Sequence, residues 1–150
     1  MIPPTFCNNP CFQGNCIFHQ ELFGCSALYT AKRTFNDSEL ECSKNGGHLL
    51  SIENSGANNG LSFFDYTDFF LYPEEAWIGM IVATNATGYR ILSWTDGTLV
   101  MYNNLPLNLT LDANKTYCVS FGFLEKFWKV ADCNEKKLFL CSIPNSSNLF

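Results

Sequence analysis

Eight cysteines dominate the chemistry open to this 150-residue chain. They stand at Cys7, Cys11, Cys16, Cys25, Cys42, Cys118, Cys133 and Cys141, with no Cys-X-X-Cys pair and no Cys/His zinc spacing. An even set of this kind reads as a disulfide framework rather than a metal site. Disulfides persist in oxidising compartments, so the chain is expected outside the cell, either secreted or as the extracellular part of a membrane protein. Five Asn-X-Ser/Thr sequons, at Asn36, Asn85, Asn108, Asn114 and Asn145, point the same way, because an N-glycan belongs on a surface segment of a secreted protein.

The other reactive side chains carry less. His19 and His48 are the only histidines, and His48 follows a Gly-Gly turn without an acidic or cysteine partner at ligand spacing, so it reads as structural. Asp65 and Asp68 share a helix face at i and i+3, as carboxylates for proton transfer would, yet no nucleophile or oxyanion motif accompanies them. Gly-X-Ser-X-Gly, His-Glu-X-X-His, the P-loop and Gly-X-Gly-X-X-Gly are missing. The chain does not read as an enzyme, and no cofactor or metal is expected.

Bulk properties narrow the class. A chain of 150 residues buries about 68–70% of its unfolded surface, enough for one sizeable core. The net charge is −5 and the nine Lys/Arg are scattered apart from Lys32-Arg33 and Lys136-Lys137, which leaves no electrostatic footprint for nucleic acid. The longest apolar run, residues 77–83, is too short to span a bilayer. Met1-Ile2-Pro3-Pro4 lacks the basic and apolar regions of a signal peptide, so the chain reads as a processed piece of a longer product.

The elements that position these groups follow from local signals. Residues 1–15 form a cysteine-containing extension, 16–144 the domain and 145–150 a tail. A short strand is expected over 26–32. Thr34 reads as a helix N-cap with Asp37 approximating a capping box; Phe35, Leu40 and Cys42 give the helix its apolar groups, and Gly46-Gly47 ends it. Residues 48–52 are a strand candidate. An aromatic-dense stretch over 61–70 predicts a second helix, with Phe63, Phe64, Tyr66, Phe69, Phe70 and Tyr72 as a stripe that fills the core. Further strands are expected over 76–82, 89–94, 117–123, 127–131 and 138–143, with a long turn-rich segment between Trp94 and Cys118. The sum is an α+β domain without internal repeats.

In order, Cys25, Thr34-Phe35, Cys42, Gly46-Gly47-His48-Leu49, Trp77-Ile78-Gly79-Met80, Trp94-Thr95-Asp96-Gly97, Cys118, Trp128, Cys133 and Cys141 resemble the C-type lectin-like domain, over about residues 16–143. The resemblance implies two helices and antiparallel sheets with a long loop region, stapled by Cys42–Cys141 and Cys118–Cys133. It also implies the N-terminal hairpin bridge of long-form members, Cys16–Cys25, which leaves Cys7–Cys11. Cys7-Asn8-Asn9-Pro10-Cys11 followed by Gly14-Asn15-Cys16 resembles instead the start of an EGF-like module, which implies Cys7–Cys16 and Cys11–Cys25; the hairpin reading is favoured.

Sugar-binding members of that family hold Ca²⁺ through a Glu-Pro-Asn or Gln-Pro-Asp triplet in the long loop, a Glu two positions before the loop-closing cysteine and a Trp-Asn-Asp triplet. Here residues 105–112 contain no such triplet, Thr116 replaces the glutamate, and Lys129 and Val130 follow Trp128. Ca²⁺ needs six to eight oxygen ligands, and a lysine ammonium repels it. The resemblance therefore implies a recognition domain that binds an extracellular or cell-surface protein without calcium. The alternative is a carbohydrate-binding lectin with an atypical, calcium-independent site. The family's ligand face places the candidate contacts at Tyr102, Asn103, Leu105, Leu107, Phe123, Phe127 and Lys129, with sequons Asn108 and Asn114 on the same loop.

Overall fold

The structure, a computed structural model, describes residues 7, 9–11, 16–21, 24–61, 75–123 and 125–144. Among these described residues, seven strands and two helices follow in the order β1 (Cys16–Glu21), β2 (Gly24–Arg33), α1 (Phe35–Lys44), α2 (Ser55–Gly60), β3 (Glu75–Thr84), β4 (Arg90–Trp94), β5 (Thr116–Gly122), β6 (Trp128–Ala131) and β7 (Lys137–Ile143). The strands form one sheet in the order β1-β2-β7-β3-β5-β6, with β4 beside β3. All pairings are antiparallel except β3–β7, which is parallel through Ala76↔Leu138 and Trp77↔Phe139. The sheet is therefore mixed: the antiparallel pairs that the resemblance implies are joined by one parallel junction. No described helix is long and apolar enough to cross a membrane.

The centre of the sheet is buried on both faces, and side-chain alternation divides it into two cores. Ala76, Ile78, Met80 and Val82 of β3, with Leu138 and Leu140 of β7, face one core that includes Ile52, Leu61, Trp94 and Trp128. Trp77, Phe139, Cys141 and Ile143 face the other, where α1 contributes Phe35 and Cys42. Phe35 meets the Trp77 ring edge-on at 5.6 Å, and the Trp77 Nε1–H donates to Arg33 O at 3.0 Å, so the buried indole loses no hydrogen bond.

Helix α1 obeys its sequence signals. Thr34 is extended and its Oγ1 accepts from Asp37 N at 3.3 Å; Phe35, Ser38 and Cys42 are buried on one face. The stop depends on close approach. Gly46 has φ 82, and a Cβ on Gly47 would lie 2.0 Å from Ser142 O. The chain then runs beside β7: Ser142 N donates to His48 O and Leu50 N to Leu140 O. The strand expected over 48–52 reduces to a single bridge, Leu49↔Cys141. Leu50 O turns away from β7 to accept from Gly79 N at 2.8 Å, which ends the ladder. Gly79 is required there, since a Cβ would meet Leu49 O at 2.7 Å.

A helix not expected from the sequence lies at Ser55–Gly60; apart from buried Leu61, the aromatic stretch expected to be helical, its stripe through Tyr72 and Asp65/Asp68 lie outside the described residues. Asn54 caps α2 by accepting from Ala57 N at 2.8 Å.

Four disulfides close the fold. Cys42–Cys141 and Cys118–Cys133 pair as the family pattern implies, with Cα separations of 5.4 and 5.1 Å. Both N-terminal schemes fail: the bridges are Cys7–Cys25 and Cys11–Cys16. The hairpin register explains why Cys16–Cys25 cannot form. Cys16 lies opposite Tyr29 and Cys25 opposite Gln20. Four rungs of about 3.4 Å put the two cysteines roughly 13 Å apart, beyond the reach of a disulfide. The Cys7–Cys25 bridge ties the extension to the domain's own hairpin.

Replacing Cys42 and Cys141 together by alanine removes a cross-link between positions 99 apart in sequence. We expect a loss of about 2–5 kcal/mol in urea denaturation, with the Cys11–Cys16 pair, separated by five positions, costing least.

Candidate functional site

The long loop begins where Trp94-Thr95-Asp96-Gly97 leaves β4. Gly97 takes φ 81 to make the turn. Asp96 closes it: one oxygen accepts from Thr98 N and Oγ1 at 3.0 and 2.8 Å, and the other from Ser51 Oγ at 2.6 Å. Burial pushes this carboxyl up, but the Ser51 and Thr98 hydrogen bonds outweigh it and hold the group below its ordinary value.

From there the chain alternates like a strand without being one. Val100 and Tyr102 pack inward against the core, and Tyr102 meets Trp128 edge-on at 5.7 Å. Leu99 and Met101 point out and are 79% and 77% exposed. Asn103 is a turn residue whose Oδ1 accepts from Leu105 N, and Leu105 is half-buried on the core. Leu107, at the tip, is fully exposed. The returning limb is fastened to the β3–β4 hairpin: the Arg90 guanidinium donates to Leu109 O, and Thr84 Oγ1 donates to Asp112 O at 2.6 Å while accepting from Lys115 N at 2.9 Å.

Beside the outgoing limb stands the β5–β6 turn. Lys126 is left-handed, with φ 61, a conformation that costs a non-glycine residue about 1–2 kcal/mol. Two amides hold it. Asn58 Nδ2 from α2 and Asn104 Nδ2 from the loop both donate to Lys126 O, at 3.2 and 2.9 Å. Asn58, only 3% exposed, uses its other atom to accept from Trp128 Nε1 at 2.8 Å. One buried amide thus locks the indole and the turn together, and Phe127 beside the turn stays 57% exposed. Nothing in the Asn-Gly run around Asn58 signals this role in the sequence.

Glu75, at the start of β3, organises the neighbouring edge. It accepts from Lys129 Nζ at 2.8 Å, Lys137 Nζ at 3.0 Å and Ser120 Oγ at 3.1 Å. Burial pushes its carboxyl up, but the hydrogen bonds from Lys129 and Lys137, the Lys137 charge and the Ser120 hydroxyl outweigh it and hold the group down at about 2.

The sequence model for the Lectin C-type domain matches residues 31–143. The chain belongs to this C-type lectin domain family. Snaclec rhodocetin subunit beta of Calloselasma rhodostoma is 30% identical over 122 residues, covering 80% of this chain and 87% of that protein. Among solved structures, CEL-IV superposes with a TM-score of 0.72 at 20% identity over 85% of this chain and 92% of its own. A calcium-independent type II antifreeze protein does so with a TM-score of 0.61 at 22% identity, over 87% and 94%. The last two likenesses establish the fold.

Within this C-type lectin domain the seven candidate contacts separate. Leu107, Phe127 and Asn103 are exposed, and Lys129 is exposed but engaged with Glu75. Tyr102 and Leu105 are half-buried supports of the loop. Phe123 is a correction: it is 2% exposed and packs edge-on against Phe121, so it offers no surface to a ligand. Leu99 and Met101 are more exposed than most of the residues singled out. Asn36, Asn85, Asn108 and Asn114 are exposed, while Asn145 lies outside the described residues.

Two outcomes test this geometry. Asn58→Ala strands the Trp128 N–H in the core and should cost about 1–3 kcal/mol in urea denaturation. Glu75 has a folded pKa of about 2, below its ordinary 4.5. Its stabilising contribution, about 1–2 kcal/mol after solvent screening, is complete above the ordinary value and is lost as pH falls through the folded one. Glu75→Gln should therefore be less stable than the wild type at neutral pH, with the two curves converging in strong acid.

Proposed function

We propose that this C-type lectin domain is an extracellular recognition module that binds a protein partner without calcium, through the outgoing limb of the long loop and the β5–β6 turn. The observation that carries the reading is a double one. Where sugar-binding relatives present oxygen donors, this chain has Thr116, Lys129 and Val130, and the Lys129 ammonium is engaged by Glu75. On the long loop Leu99, Met101 and Leu107 stand exposed, as does Phe127 at the β5–β6 turn.

A hard cation needs a cage of carboxylate and amide oxygens, and the Asn103 oxygen is already engaged in closing its own turn by accepting from Leu105 N. Exposed aliphatic groups on a loop, with one aromatic ring on the turn it is bonded to, suit burial against another protein, where a few apolar anchors supply most of the affinity. Support for an extracellular setting comes from the four disulfides. Support for assembly with protein comes from the rhodocetin relative, which by its name is a subunit.

The test is direct. Immobilised protein should retain a specific extracellular protein in the presence of EDTA, and the variant L99S/M101S/F127S, altered only at exposed positions, should lose it at least tenfold. Calorimetry with calcium should give no binding heat. EDTA-sensitive binding on a glycan array would overturn the reading; EDTA-insensitive binding there would favour the carbohydrate alternative.

A further inference from the structure

We propose that Asn85 carries an N-linked glycan whose first sugar packs on the ring of Tyr89, so that modification of the β3–β4 turn stabilises the domain. The inference does not depend on which partner the long loop binds. The last register pair of this hairpin is Thr84↔Arg90, and Asn85 and Tyr89 stand opposite one another just beyond it. Their backbones are bonded, Asn85 N donating to Tyr89 O at 3.1 Å. Gly88, at φ 82, lets the intervening three residues close the turn.

The Asn85 side chain is fixed by one of its two polar atoms. Oδ1 accepts from Thr87 N at 3.0 Å, Thr87 Oγ1 at 2.8 Å and Tyr89 N at 2.9 Å. Nδ2, the atom that carries a glycan, takes part in none of these bonds, so modification leaves the turn intact. The sequon threonine is already bonded to the asparagine it serves. Tyr89 is 67% exposed, a large ring at the free end of a hairpin. Side chains directly opposite across an antiparallel pair sit about 4.5–5.5 Å apart at Cβ, which brings the first sugar's C–H face within reach of the ring. No such bonded, exposed aromatic residue accompanies Asn36, Asn108 or Asn114 among the described contacts.

The modification needs a lipid-linked oligosaccharide pyrophosphate. A bond forms from Nδ2 to sugar C1, the C1–O bond to the pyrophosphate breaks, and the amide proton leaves with the phosphate. Asn114 reaches the same turn, its N–H donating to Asn85 O at 3.1 Å, so the test is run in an Asn114→Gln background to remove a neighbouring glycan.

The protein is secreted from a eukaryotic host and its glycopeptides are mapped. One sample is trimmed with an endoglycosidase that leaves the first sugar, and another with an amidase that removes it and leaves aspartate, which retains the acceptor oxygen. We expect a glycan at Asn85, an unchanged Tm after trimming and a fall of about 2–4 °C after complete removal. In Tyr89→Ser that fall should vanish. An unmodified Asn85 peptide, or the same fall with and without Tyr89, overturns the proposal.

Discussion

The central strand β7 is the constraint on which the rest of this domain depends. Cys141 within it bonds covalently to α1, forms the isolated bridge to Leu49 and pairs in register with Ala27 of β2. Phe139, two residues earlier, pairs with Trp77 across the parallel junction and stacks on Tyr29 at 4.8 Å. Helix, hairpin and central sheet are thus referenced to one stretch of backbone. The close approach of Gly47 to Ser142 is the steric price of that arrangement, and it explains why the turn after α1 is built from two glycines.

From that frame the long loop is held by bonds that converge from three directions. Asp96 fastens its start to Ser51, Asn104 fastens its outgoing limb to Lys126, and Thr84 fastens its return to the β3–β4 hairpin. These are short polar contacts between segments far apart in sequence, and each pairs a polar group of the loop with one on a neighbouring element. The result is a loop whose inward residues are supported and whose outward residues, Leu99, Met101 and Leu107, remain uncovered.

Much of this was legible beforehand because it rests on local or periodic signals. The Thr34 cap, the Gly46-Gly47 stop and the near-continuous apolar runs of β3 and β7 are properties of short windows. The N-terminal pairing was not legible, because it depends on the hairpin register, and nothing local distinguishes Cys16 opposite Tyr29 from Cys16 opposite another residue. Helix α2 escaped for the opposite reason. Its Ser-Gly-Ala-Asn-Asn-Gly sequence has poor helix propensity, and Asn58's bonds to Trp128 and Lys126 anchor it in tertiary contact. Phe123 was misplaced because apolar character in a loop-bearing sheet does not say which face it occupies.

The polar network at the sheet edge bears on how such a loop is ordered when no ion does the ordering, which is the reading proposed for this domain. A bound divalent cation collects oxygen donors from several segments and fixes them to a common point. Here Glu75 gathers two ammonium groups and a hydroxyl from β5, β6 and β7 on a single carboxylate, and Lys126 O gathers two amides from α2 and the long loop. Both centres reverse the electrostatics of a cation cage, since an acceptor sits in the middle and donors surround it. A sheet edge stabilised in this way tolerates a lysine at the position after Trp128, because that lysine is one of the donors.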